Sequence, residues 1–314
     1  MKKLGFCFLC VNGLNQRDIW ETFFKGNYDK CNIYIHSKNY TTLKSQFELK
    51  YQVDEHADTA WGGNLYNAIR IMYRKAVANK DYKVLLLSDS HIPIAPFDQV
   101  YSFLTIDNKS LIQYQGHIPS NPVECETLIM QYKRYIYNFN RCAKFRYNID
   151  IAHWYFNEMW TVLNLDDTKL IVNDDTIIQN FENAFAWDEN YPAYILSIHD
   201  RLKDVHNFGC TFVNWSEPVV RNGGAQKSPK CYNKIYQQDL MVLKRCHTLF
   251  ARKFHIDSDI KNYIEFIWNG KLNDSPIIDD RKVDKMVMKD KIHNKLRIKQ
   301  QQRKRKRTKG RRKR

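Results

Sequence analysis

Three well-known signatures are missing from this 314-residue chain. It has no Walker-type phosphate loop, no G-x-G-x-x-G and no G-x-S-x-G. Their absence sets aside P-loop hydrolases, dinucleotide-dependent Rossmann enzymes and α/β-hydrolases. Long apolar runs are missing too. After Lys2-Lys3 the first such run is broken at Asn12, far short of the roughly 20 residues a spanning helix needs. A secretory leader requires a longer stretch and a small-residue cleavage site. The sequence therefore predicts a cytoplasmic protein with reduced thiols. Zinc-type spacing is also lacking. Cys7 and Cys10 form a C-x-x-C inside an apolar run, and no second Cys or His pair follows at ligand spacing. The other cysteines are Cys31, Cys125, Cys142, Cys210, Cys231 and Cys246; all eight read as ordinary buried thiols.

What is present is a foldable chain, 43% hydrophobic and 14% aromatic. Its net charge of +16 suggests a nucleic-acid binder until the charge is located. Residues 281–314 hold 18 Lys/Arg and two acids, Asp284 and Asp290, which is the whole excess. Residues 1–280 carry 32 basic and 32 acidic side chains and are neutral. The expected organisation is one domain over 1–280 and a basic tail over 281–314, helical over 290–303 and then disordered.

Leu4–Val11 reads as a strand buried on both faces. Strands are also expected at 31–36, 51–53, 83–87 and 211–215. Helices are expected at 18–24, 40–49, 64–77, 97–104 and 239–250, and one starts at Asp188. Within 64–77, Leu65, Ala68, Ile69, Met72, Ala76 and Val77 fall on one face. The stretch 131–146 is a helix or a loop, 153–165 alternates aromatic and polar residues before turning helical, and Asn222-Gly223-Gly224 marks a loop. Strand–helix alternation predicts an α/β fold with a mostly parallel sheet. In such sheets ligands bind beyond the carboxyl ends of the strands, here Asn12-Gly13, His36-Ser37 and Ser88-Asp89-Ser90.

A series of local patches carries a resemblance. They are Phe8-Leu9 with Leu14, then Trp20-Glu21 with Phe23-Phe24-Lys25-Gly26-Asn27, and Ile33-Tyr34-Ile35-His36-Ser37. Trp61-Gly62 follows, then Leu85-Leu86-Leu87-Ser88-Asp89 with Ile92-Pro93-Ile94 and Val100-Tyr101. The last are His153-Trp154-Tyr155-Phe156, Trp187-Asp188-Glu189-Asn190-Tyr191, Phe212-Val213-Asn214-Trp215, and Leu249-Phe250-Ala251-Arg252-Lys253-Phe254. In this order, over residues 1–270, the chain resembles the core-2/I-branching β-1,6-N-acetylglucosaminyltransferases, with peptide xylosyltransferases as relatives. The resemblance implies a single GT-A-like, Rossmann-like nucleotide-sugar domain. It also implies an inverting transfer from a UDP-sugar to a hydroxyl of a glycan or protein acceptor, with no metal and no other cofactor.

Such a transfer needs a base for the acceptor hydroxyl and positive charge for the departing diphosphate. The resemblance makes Glu189 the base; a carboxyl with an ordinary pKa of about 4.3 is ionised at neutral pH. The alternative is an acidic pair, Asp188-Glu189, that serves only the start of a helix. A D-x-D metal motif belongs after the strand ending at Leu87, where Ser88-Asp89-Ser90 stands instead. The one D-x-D, Asp257-Ser258-Asp259, reads as a surface turn. The resemblance assigns the diphosphate to Lys253 and, near the second cationic position, Lys230, with Arg252 and Arg221 as substitutes. Each is otherwise a solvated surface cation. His36 and Asp89 are nucleotide or donor contacts, or satisfied strand-end residues. Trp215 is an acceptor platform by resemblance, while Trp61 and Trp154 read as core aromatics. A second reading keeps the fold without the chemistry, with residues 303–314 binding nucleic acid or an anionic membrane.

Overall fold

Apolar runs and amphipathic stretches alternate along the chain, and the computed structural model turns them into sheets covered by helices. It describes residues 1–115, 148–181, 186–215 and 228–269. All belong to one unit, Met1–Asn273. The expectations for 131–146, for 222–224, for Arg221 and for the tail lie outside the described residues. The described strands are β1 (Leu4–Cys10), β2 (Cys31–Ser37), β3 (Lys83–Ser88), β4 (His91–Pro93) and β5 (Tyr114–Gln115). They continue as β6 (Phe156–Asn157), β7 (Val162–Asn164), β8 (Thr211–Val213) and β9 (Phe250–Arg252).

The main sheet runs β2-β1-β3-β7. Its first three strands are parallel, and β7 pairs antiparallel with β3. Leu9 sits opposite both His36 and Ser88, so the three parallel strands finish level and form a single rim. A second sheet, β4-β9-β8, has β9 antiparallel to β4 and parallel to β8. β5 pairs with β6. Burial on both faces explains the unbroken hydrophobicity of β1 and β3.

Helices cover the main sheet where the period-3.6 pattern places them. Helix Leu65–Ala78 buries Tyr66, Ala68, Ile69, Met72, Tyr73 and Ala76, while Leu65 and Val77 stay at its edge. Helix Arg17–Phe24 buries Ile19, Trp20, Phe23 and Phe24. Trp20 packs edge-on to Phe8 at 4.7 Å, and its indole N–H donates to the His91 carbonyl at 3.0 Å. Burying four such side chains contributes on the order of 6–10 kcal/mol before entropy is counted.

Several boundaries differ from the sequence reading. The expected helix 40–49 is split: a 3-10 turn at Tyr40–Thr42 is followed by helix Gln46–Tyr51, because Ser45 caps a new start by accepting the Glu48 N–H. The expected strand 51–53 is a single bridge between Gln52 and Ile35. The late helix is Gln237–Arg245, and Phe250 opens β9. The helix expected from Asp188 begins as a 3-10 turn, Trp187–Glu189, and continues as Tyr191–Ile198 with Pro192 in its first turn. The described cysteines are all free, with Cys7, Cys10, Cys31 and Cys210 buried but Cys231 exposed and Cys246 half-buried. Trp154 is core, stacked on Phe181 at 5.8 Å. Trp61 is not: it is 84% exposed, on a loop that a flanking helix start leaves at the surface.

Gly13 shows how tightly the rim is built. Its φ is +95°, and a Cβ there would collide with the Glu48 carboxylate. That carboxylate accepts the Leu14 N–H at 2.6 Å. Gly13→Ala is expected to cost about 1–3 kcal/mol, read as a lower denaturant midpoint.

Candidate active site

The rim places Asp89 just past β3. Its N–H donates to the Leu9 carbonyl at 3.2 Å, and its own carbonyl accepts the Asn15 N–H at 3.0 Å. Its carboxylate accepts the Val11 N–H at 3.4 Å. Asp89 is thereby tied across β1 and β3. The segment after β9 is drawn over the same edge. The Phe254 N–H donates to the Ser90 carbonyl at 2.9 Å, Asn15 Nδ2 to the Phe254 carbonyl at 2.8 Å, and Gln16 Nε2 to the His255 carbonyl at 2.7 Å. These bonds bring Arg252 and Lys253 to Asp89. Burial pushes the Asp89 carboxyl above its usual range, and the Val11 N–H, Lys253 and Arg252 each pull it back.

The two cations are not alike. Lys253 is exposed. Arg252 is half-buried, with its Nε buried and its guanidinium over the Trp160 ring at 4.5 Å, while the His91 ring meets Trp160 edge-on at 4.4 Å. Burial draws Arg252 down to about 10, against the attraction of Asp89, Cys231 and Glu158. His91 Nδ1 accepts from the Ser88 N–H at 2.9 Å. Burial, and then the Arg252 charge, hold that imidazole well below its ordinary value, so it is neutral.

Glu189 closes the 3-10 turn and is half-buried. The turn is entered through Ala186 at φ +52°, and Glu189 N–H donates to the Ala186 carbonyl at 3.2 Å. Asn190 Nδ2 donates to the Tyr155 carbonyl at 2.8 Å and Asn157 Nδ2 to the Asp188 carbonyl at 3.3 Å. The turn is thus fastened to β6. Glu158, directly after β6, feels both Glu189 and Arg252: burial raises its carboxyl, Arg252 lowers it and Glu189 raises it again. Asp89, Arg252, Glu158 and Glu189 form one electrostatically linked row.

The other expected residues lie to the sides of that row. Lys230 donates to Asp239 Oδ1 at 3.1 Å and sits over Tyr232 at 5.2 Å, so an acidic partner already holds it. Its chain neighbours Lys253, since the Tyr232 N–H donates to the Lys253 carbonyl at 2.7 Å. Trp215, 53% exposed, follows Asn214, whose carbonyl accepts the Lys230 N–H at 2.8 Å. His36 is fully buried; its Nε2 accepts the Ala57 N–H at 3.0 Å, and burial and His56 lower its pKa. Of the D-x-D, Asp259 Oδ1 accepts the Ile235 N–H at 2.8 Å, a structural use, while Asp257 is at the surface. The sequence reading missed Glu158, Trp160 and His91. No motif marks them; a charged residue inside the aromatic–polar alternation of 153–165 was the only signal.

The core-2/I-branching enzyme profile matches residues 4–244. The chain belongs to the core-2/I-branching enzyme family. Residues Asp89, Glu158 and Glu189 of this core-2/I-branching protein lie inside the matched segment, whereas Arg252 and Lys253 lie beyond it and stand on their geometry. The chain is also similar to glycosyltransferase BC10 of Oryza sativa subsp. japonica, at 21% identity over 228 residues, 65% of this chain and 51% of the rice protein. It therefore spans about half the length of that relative. Among the described residues no helix of this family member is long and apolar enough to cross a membrane.

Proposed function

We propose that this protein is an inverting glycosyltransferase that moves a sugar, N-acetylglucosamine or xylose, from a UDP-sugar to an acceptor hydroxyl without a metal ion. The observation that carries the reading is Asp89, just past the end of β3, facing Arg252 and the exposed Lys253, with Glu158 feeling both Arg252 and Glu189.

In the proposed reaction Glu189 takes the proton from the acceptor hydroxyl. The freed oxygen attacks the anomeric carbon as the bond to the diphosphate breaks on the opposite face, and the electron pair leaves with the diphosphate oxygen. Lys253, with Arg252 behind it, meets the charge that develops there. Lys230 steadies the Tyr232 and Lys253 segments through Asp239. Trp215 offers an apolar face to the acceptor sugar. Asp89 orients the two cations and sits where the nucleoside would approach the rim.

The test is transfer from UDP-N-acetylglucosamine or UDP-xylose to a panel of glycan acceptors with EDTA in excess. Full activity is expected in the chelator. Loss of activity that manganese restores would replace the two-cation design by a metal-dependent one.

A further inference from the structure

The cations around the cleft differ in what holds them. Lys230 gives its ammonium to Asp239 at 3.1 Å. Arg252 has no such partner. Among the described residues its guanidinium makes no hydrogen bond and no ion pair, and its buried Nε meets no acceptor. Asp89 and Glu158 attract it only from beyond hydrogen-bonding distance. What meets it directly is the Trp160 ring, whose centroid lies 4.5 Å from the guanidinium carbon.

That ring is itself held in place. The residue after it is fastened to β3, because the Leu86 N–H donates to the Thr161 carbonyl at 3.0 Å. His91 stands opposite Arg252 in the β4–β9 register, so the two side chains leave the sheet on the same face. Both then reach Trp160, His91 edge-on at 4.4 Å. His91 is fully buried, and its Nδ1 is engaged by the Ser88 N–H at 2.9 Å and the Ser88 hydroxyl at 2.8 Å. A fixed, neutral imidazole thus braces the indole on which the cation rests.

The choice of an aromatic ring over a carboxylate has a consequence. A carboxylate would consume the forked N–H donors of the guanidinium. A ring attracts the cation through its π face and supplies no oxygen acceptor, so the donors stay uncommitted. An unmet buried donor is costly in a folded protein and calls for a partner. An anionic oxygen is the partner this arrangement suits.

We propose that Trp160 is the positioning residue of the donor site: its ring, braced by His91, holds the Arg252 guanidinium off the neighbouring carboxylates and ready for a phosphate oxygen of a nucleoside diphosphate. The proposal rests on the donor reading above. Trp160 acts through Arg252. Without the ring, the guanidinium is free to swing onto Asp89 or Glu158, and the phosphate must then compete with a carboxylate for it.

The experiment is calorimetric titration of the full chain with UDP, arranged as a double-mutant cycle between Trp160 and Arg252. Trp160→Leu is expected to weaken UDP binding by about 3–30-fold. Trp160→Phe should stay within about threefold of wild type, since a smaller ring still offers a face to the cation. Arg252→Met is expected to weaken binding by about 10–100-fold, and in that background Trp160→Leu should cost nothing further. A tryptophan with a purely structural role would lower affinity by the same factor in both backgrounds, and that result overturns the proposal while leaving the donor reading intact. Arg252→Met with wild-type Kd also overturns it; this arm keeps Trp160 and stands even where the Leu variant does not fold. A wild type that binds no UDP rejects the donor reading, and the proposal with it.

Discussion

Glu189→Gln is expected to lower kcat by about 10²–10⁴-fold while UDP binding is unchanged or slightly tightened. Gln has the shape of Glu and cannot accept a proton at neutral pH. The turn that presents it is fixed by backbone and neighbouring amides: Glu189 N–H to the Ala186 carbonyl, and Asn190 Nδ2 to the Tyr155 carbonyl. Neither bond uses the Glu189 carboxylate, so both should survive the change. Removing one negative charge from the row that includes Glu158 should favour an anionic donor. Turnover from a UDP-sugar and thermal stabilisation by UDP together check this. Near-normal turnover in the variant removes Glu189 from the chemistry. Loss of both turnover and stabilisation instead marks a structural residue.

Lys253→Met is expected to weaken donor binding by about 10–100-fold, the worth of one charge-assisted contact to phosphate. It should also lower kcat, since the diphosphate gains charge as it leaves. Lys253 is exposed and its segment is held by the Phe254 N–H and the Lys253 carbonyl, so Met keeps the stem and the backbone bonds. Donor Kd by calorimetry and kcat at saturating donor separate the two effects. A variant with wild-type Kd would move the diphosphate contact elsewhere, first to Arg252.

The parts of the fold that could be read from sequence are those with one dominant period. β1, β3 and helix Leu65–Ala78 announce themselves because their burial pattern leaves no competing reading. The failures have local causes. Ser45 interrupts a helical pattern by capping a new one, and Phe250 is apolar in both a helix and a strand, so its place in β9 depends on β4 and β8 arriving from elsewhere. The site divides in the same way. Asp89 follows a legible strand end and Glu189 precedes a legible helix. Glu158 is tied to the site only through Arg252 and Glu189, which are distant in sequence, and the packing that separates Arg252 from Lys253 comes from Trp160. Neighbouring cations in one motif look identical until packing separates them.

The position of β9 between β4 and β8 has a consequence for the newborn chain. β4 is made early, but its hydrogen-bonding partner is synthesised more than 150 residues later, with Phe250–Arg252 opposite His91–Pro93. Until then a nascent polypeptide lacks the pairing of β4 with β9 and the Arg252 and Lys253 charges beside Asp89. Closing so long a loop is slow. On the proposed donor reading, a ribosome-bound intermediate should therefore be incompetent to hold nucleotide until the cationic strand slots home in a late step.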